Sequence, residues 1–171
     1  MFHQELHEVS SHDIALAVKR VTEIEGPVHP DEVIARIRTL SGYARAGLRM
    51  KTAIEKGIQF AITSGYVRKR KGFLWITQEF KFVVRRRGSS TSLLSKYICD
   101  EELAAALKLV LSLQGATPEG DLIVQTSRIL GFQRTTAETE KHFSLILREM
   151  VKQGALLQNG AGQISNTQQC T

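Results

Sequence analysis

The amino-acid sequence repeats itself at a shift of 89 positions, which carries Gly26 onto Gly115. Two further glycine pairs coincide at that shift, and apolar residues mostly fall on apolar residues. The other pairs are Gly42–Gly131, Gly65–Gly154, Val18–Leu107, Val21–Val110, Ile34–Ile123, Ile54–Phe143, Ile58–Leu147 and Trp75–Ile164. Not every position agrees, since Ile37 falls on Thr126. Agreement over this length without a gap predicts two copies of one structural module.

Helical spacing of apolar residues predicts three helices in the first copy. The first covers about 12–24 and ends before Gly26-Pro27, and the second runs from Pro30 to about Leu40. Proline suits the first position of a helix because its fixed φ is already helical. The third helix covers about 46–64 and is closed by Gly65.

A β-hairpin is predicted directly after the third helix, from Tyr66–Lys69 and Phe73–Ile76 around the break Arg70-Lys71-Gly72. Three helices followed by a hairpin, with a short turn between the second and third helices, is the order of a winged helix-turn-helix. The fold class predicted is therefore mainly α with small β-hairpins (α+β), as tandem winged helix-turn-helix modules. In the second copy the corresponding helices fall near 100–113, 119–130 and 136–153, and a weaker hairpin near 155–165.

The domain boundaries follow from the repeat and from a polar stretch between the copies. Module 1 is predicted to span residues 12–86 and module 2 residues 96–165, with 87–95 as a linker. Phe80–Arg86 alternates apolar and basic residues and is interpreted as an extra strand.

The positive charge of the chain lies in its first half. The net charge is +6, yet residues 1–88 hold 16 Lys and Arg against 9 Asp and Glu, and residues 89–171 hold 7 against 8. Such asymmetry indicates a polyanionic partner, although a charge imbalance also serves solubility.

A helical wheel of the third helix places a basic stripe opposite its apolar side. The stripe contains Arg49, Thr52 and Lys56, and Arg45 joins it if the helix reaches back that far. Four cations at the hairpin tip add to it: Arg68, Lys69, Arg70 and Lys71. In a helix-turn-helix the third helix enters the major groove, where Arg pairs with guanine and either cation holds phosphate. The alternative is a solvated helix face.

Two other features bear on this surface. The run 85–87 (Arg-Arg-Arg) either extends it or forms a solubilising linker edge. In the second copy Glu138 replaces Arg49 and Leu145 replaces Lys56, and the tip 158–161 holds no cation. The second module is therefore expected to be structural or protein-binding.

Other classes of function find little support in the sequence. No phosphate-binding loop, nucleophile elbow or paired carboxylates is evident, so no catalytic residue, metal site or cofactor is expected and the chain is not predicted to be an enzyme. Two cysteines without a metal-binding spacing, the lack of a secretory signal and the absence of an apolar run near 20 residues favour a cytoplasmic protein with no membrane partner.

Three strings together resemble a known bacterial family: EIEGPVHPDEVIARI, GYARAGLRMKTAIEKGI and GFLWI. The family is a domain of unknown function at the C-terminal end of large bacterial proteins similar to superfamily-1 helicases, often with a restriction-endonuclease-like domain. The resemblance covers about residues 12–155. It implies an accessory piece of a helicase-like parent whose ATPase and nuclease motifs lie elsewhere, and it implies no catalytic residue here.

These observations give one leading hypothesis and one alternative. The leading hypothesis is a nucleic-acid-binding module, with double-stranded DNA ahead of RNA, that serves a helicase-like parent through the third helix and wing of module 1. The alternative is a protein-interaction adaptor that docks on the motor domain of the parent or on another partner.

Overall fold

The structure is a computed structural model and describes residues 8–43, 47–77, 83–87 and 94–167. The chain divides into two compact units, residues 1–80 and 81–171.

The first unit begins with three helices: α1 (Ser11–Glu25), α2 (Pro30–Leu40) and α3 (Leu48–Thr63). Each of the first two is capped by a side chain, because Ser10 Oγ accepts from the Asp13 N–H and His29 Nδ1 accepts from the Asp31 N–H. The three predicted helices are confirmed to within a residue or two of their ends.

A hairpin completes the first unit, with β1 (Val67–Arg70) antiparallel to β2 (Phe73–Ile76). A further bridge joins Val28, in the connection between α1 and α2, to Leu74 of β2. This third segment, which the sequence did not predict, fixes the hairpin against the helices. The core is aliphatic and includes Ile14, Val18, Val33, Ile37, Ile54, Ile58, Val67 and Leu74.

The second unit repeats this order with α4 (Asp100–Gln114), α5 (Glu119–Leu130) and α6 (Ala137–Lys152). A short 3-10 helix, Ser95–Tyr97, precedes α4. The Cys99 thiol caps α4 by accepting from the Glu102 N–H.

Three short strands form the sheet of the second unit in the order β3-β5-β4. They are β3 (Thr117–Pro118), β4 (Leu156–Gln158) and β5 (Gln163–Asn166), all antiparallel to their neighbours. The sheet packs on a core that includes Leu103, Leu107, Leu111, Leu122, Phe143, Leu147 and Ile164.

The strand registers correct one detail of the repeat. Val67 pairs with Ile76, whereas its counterpart Leu156 pairs with Asn166, one position further along. The turn between β1 and β2 has two residues, and the loop between β4 and β5 is longer, which introduces the offset. The pairing of Trp75 with Ile164 is therefore wrong, and Leu74 is the structural counterpart of Ile164. Both of these residues are fully buried.

The segment after the first hairpin differs from the prediction. Residues 83–87 have no strand structure, and 78–82 lie outside the described residues, so the extra strand proposed for Phe80–Arg86 is absent from the part that is described. Val84 packs against the core of the second unit, and the Arg87 N–H donates to the Leu130 carbonyl. These contacts, like the division at Phe80, place 83–87 with the second unit rather than in module 1 or in a free linker.

The predicted mixture of helices and small antiparallel sheets is confirmed. Among the described residues, no helix combines the length and hydropathy that crossing a membrane requires.

Candidate nucleic-acid interface

The third helix presents its basic residues on the side away from the core. Met50, Ile54 and Ile58 are buried on one side of α3, and Arg49 and Lys56 are exposed. The helix begins at Leu48 after Gly47, two residues later than predicted. The predicted site residue Arg45 lies outside the described residues.

Arg49, Thr52 and Lys56, here called the helix patch, line one surface depression of about 430 Å3. The rest of its wall is formed by Leu48 and Ala53 of α3, by Ser11 and Ile14 of α1, and by Val9, which precedes α1. The depression is therefore lined by two cations, by hydroxyl groups and by apolar side chains.

Neighbouring carboxylates do not neutralise the helix patch. Glu55, the acid at its margin, pairs with Lys51 at 3.8 Å. Among the residues that the structure describes, neither Arg49 nor Lys56 forms an ion pair. An anion that enters the depression would meet both cations without first displacing a carboxylate of the described residues.

The four cations of the hairpin, here called the hairpin patch, have different settings. Arg68 and Lys69 are exposed on β1, and Arg70 ends that strand. Lys71 and Gly72 form the turn with φ values of 48° and 84°, the left-handed conformation that a two-residue hairpin turn requires. Lysine is uncommon in that conformation, so the tip carries a cation at a position where Asn or Gly is usual.

Trp75 contacts Arg70 of the hairpin patch. The Arg70 guanidinium lies 4.3 Å from the centre of the Trp75 ring, and Trp75 Nε1 donates to the Arg70 carbonyl at 3.4 Å. Trp75 is 6% exposed and Phe73 is buried. Both rings are buried, and Trp75 offers no open face to a base.

The structure groups the predicted site residues into these two patches. No residue of the hairpin patch lines the depression of the helix patch. The chain links them directly, because β1 follows α3 after a short turn at Ser64-Gly65-Tyr66. That the two patches contact one ligand remains a prediction.

Two of the three arginines in the third basic run pair with a buried carboxylate of the second unit. Arg85 and Arg87 pair with the carboxylate of Glu102 at 3.4 and 2.8 Å, and the Glu102 side chain is only 1% exposed. Burial of that carboxylate requires nearby positive charge. Arg85 and Arg87 therefore hold this segment on the second unit, and Arg86 is the exposed member of the run. Whether the run extends the basic surface of the first unit stays a prediction.

The corresponding surface of the second unit is neutral and partly apolar. On α6 the matching residues are Glu138, Lys141 and Leu145, and Leu145 is 66% exposed. The hairpin loop is held by Asn159, whose Oδ1 accepts from the N–H groups of Ala161 and Gln163. The loop holds no cation.

A partly exposed group of rings near the helix patch was not predicted from the sequence. His12 and Phe60 lie edge to face with centroids 5.8 Å apart, and His12 and Tyr66 lie 6.3 Å apart. Phe60 stands on the same side of α3 as Arg49 and Lys56, at helical spacing. The helical spacing of Phe60 from Arg49 and Lys56 could have been recognised in the sequence. The contacts among Phe60, His12 and Tyr66 depend on the fold.

Among the described residues, no group of three His, Cys, Asp or Glu residues has the arrangement of a metal site. Burial raises the pKa of the Cys99 thiol to about 12, which disfavours the nucleophilic thiolate.

Comparison with known proteins gives one match. Residues 4–52 match a family described as "Protein of unknown function (DUF3320)", and this segment covers α1, α2 and the first residues of α3. No curated protein and no solved structure matches the chain.

Proposed function

We propose that the first unit is a winged helix-turn-helix module that binds DNA through the helix patch and the hairpin patch. The observation that supports this most directly is the pair of exposed cations in one depression, Arg49 and Lys56, neither of which forms an ion pair with another described residue. Phosphate contacts supply most of the affinity of proteins for DNA, and they require such cations.

The second unit supports the proposal by contrast. It repeats the order of helices and hairpin but places Glu138 and Leu145 where the first unit has Arg49 and Lys56. If the cations served solubility alone, they would not be expected at these two positions in one copy and absent from the matching positions in the other. The second unit then has a supporting role within a tandem winged-helix protein.

The wider setting is also a proposal. The family match at 4–52 supports relationship to a domain of unknown function, and the resemblance described above implies a helicase-like parent. In that setting the module delivers or holds DNA for a motor whose catalytic residues lie elsewhere.

Fluorescence anisotropy with a labelled duplex, measured across a salt series, tests the proposal. Arg49→Glu combined with Lys56→Glu is expected to weaken binding about tenfold or more, because two phosphate contacts are replaced by repulsion. Lys51→Glu is the matched control, since Lys51 lies on the same helix but pairs with Glu55 outside the depression. Absence of binding at low salt, or equal effects of both variants, would refute the proposal.

A protein adaptor is the second candidate, and the exposed Leu145 of α6 favours it. A large apolar side chain at the centre of a helix face suits packing on another protein. Light scattering after size exclusion tests self-association. A dimer that Leu145→Lys converts to a monomer would support this function, and a monomer at all concentrations would argue against self-association.

A further inference from the structure

Three rings, of which His12 and Phe60 are exposed and Tyr66 is half-buried, form a cluster at one end of the helix patch. His12 comes from the first turn of α1, Phe60 from the last turns of α3, and Tyr66 from the turn before β1. The rings meet edge to face, at interplanar angles of 83° and 64°. His12 is exposed, and Phe60 keeps 37% of its surface exposed, so the cluster offers aromatic surface to solvent.

Cations lie close to this ring cluster. Lys56 precedes Phe60 by one helical turn, and the Lys19 ammonium lies 5.8 Å from the centre of the Tyr66 ring while it also pairs with Glu23 at 3.8 Å. On a helical wheel Phe60 lies about 20° from Arg49, so the rings continue the line of the helix patch. Positive charge and aromatic surface thus lie next to each other on the first unit.

The second unit lacks the rings, just as it lacks cations at the positions of Arg49 and Lys56. At the positions of His12, Phe60 and Tyr66 it has Glu101, Glu149 and Ala155. Rings that merely sealed the junction between the first and third helices would be expected in both copies. Their restriction to the copy that holds Arg49 and Lys56 ties the ring cluster to the same ligand.

We infer that the ring cluster stacks an unpaired base of a strand whose phosphates bind the helix patch. This rests on the proposed function and names its ligand class: DNA in which a duplex continues into a single strand. A paired base has both faces covered by its neighbours, whereas an unpaired base exposes a face that aromatic side chains bind. An apolar protein side chain would also suit the rings but would gain nothing from Lys56 and Lys19, so the flanking cations favour a polyanion.

The test compares labelled blunt duplex, the same duplex with a ten-thymine overhang, and single-stranded thymine. The intact protein is expected to bind the overhang duplex at least about fivefold more tightly than the blunt one. This preference should persist as salt rises, since stacking depends less on salt than phosphate contacts do. Phe60→Leu keeps the apolar bulk but removes the ring, and it should bring the affinity for the overhang duplex close to that for the blunt duplex.

A second readout covers the case in which Phe60→Leu perturbs the fold. The exposed His12→Ala variant removes a neighbouring ring, and 2-aminopurine in the overhang should be quenched by the intact protein and less by either variant. Equal binding of blunt and overhang duplexes, with Arg49 and Lys56 still required, would overturn this inference and leave the proposed function standing. Failure to bind any of the three ligands would overturn both.

Discussion

Gly57 occupies the closest approach between α1 and α3. A Cβ atom built at Gly57 would overlap the Ile14 Cγ2 and lie 2.7 Å from the Ile14 Cβ. Glycine in a helix interior costs about 1 kcal/mol relative to alanine. The cost is offset here because only glycine lets the backbone of α3 pack against Ile14. The matching residue of the second unit is Ile146, which is not compatible with the same close approach.

Gly57→Ala is therefore expected to destabilise the first unit despite the higher helix propensity of alanine. The overlap should outweigh the propensity gain and give a net loss of about 1–3 kcal/mol. Urea unfolding followed by Trp75 fluorescence measures this, because the only tryptophan of the chain lies in the first unit.

Ile14→Ala supplies the control for Gly57→Ala. This substitution removes the overlapping methyl group, so the two changes together should cost less than the sum of their separate effects. Additive effects, or a stabilised Gly57→Ala protein, would contradict the close packing described here.

At the level of elements, the helices follow from sequence more readily than the sheets do. A helix such as α3 repeats its apolar positions over four turns, and Ser10 at the N-cap of α1 and Pro30 at the first position of α2 mark the starts of the others. Thr117–Pro118 is too short to show any periodicity and becomes a strand only because β5 lies beside it. The offset between the two hairpins likewise depends on loop length, which an ungapped repeat cannot express.

The sequence likewise predicted only part of the candidate site. The wheel that identified Arg49, Thr52 and Lys56 requires only the helical period, and the structure places all three in one depression. The roles of Arg85 and Arg87 were not predictable, because their partner Glu102 is distant in sequence and nothing local marks it as buried.

The turn of the first hairpin gives a prediction at this level. Lys71→Asn places a residue that favours the left-handed conformation at the tip and removes one cation, so the hairpin should form at least as well as before. If Lys71 contacts phosphate, the slope of log affinity against log salt should fall by about one. Anisotropy titrations at several salt concentrations measure the slope.

Lys51→Gln is the control for Lys71→Asn, because it also removes one cation but away from both patches. Its slope should equal that of the unsubstituted protein. A Lys71→Asn slope that likewise remains unchanged would exclude the tip from the phosphate contacts.

At the level of the whole molecule, the boundary between the units depends on a buried charge. The Glu102 carboxylate accepts from Arg87 Nη1 and Nη2 at 2.9 and 2.8 Å, and from the Arg85 guanidinium at 3.4 Å. Gly131 accommodates the same segment, because a Cβ at that position would overlap the Arg87 carbonyl. Residues that appear in sequence as a basic linker edge are thus part of the second unit.

Two fragments distinguish this boundary from the one that the sequence predicts. Residues 81–171 retain Arg85 and Arg87, whereas residues 96–171 leave the Glu102 carboxylate buried without either cation. Removing one partner of a buried ion pair typically costs about 3–5 kcal/mol, so the shorter fragment should be less stable by a comparable amount or fail to fold. Urea unfolding followed by circular dichroism compares the two.

The substitution Glu102→Leu separates loss of charge pairing from loss of chain length. In the shorter fragment it removes the unpaired buried carboxylate, and an apolar side chain of similar size should recover part of the lost stability. In the longer fragment the same substitution leaves Arg87, which is mostly buried, without its carboxylate and should destabilise. Opposite signs in the two fragments are therefore expected, and equal effects in both would show that residues 83–87 do not stabilise the second unit through Glu102.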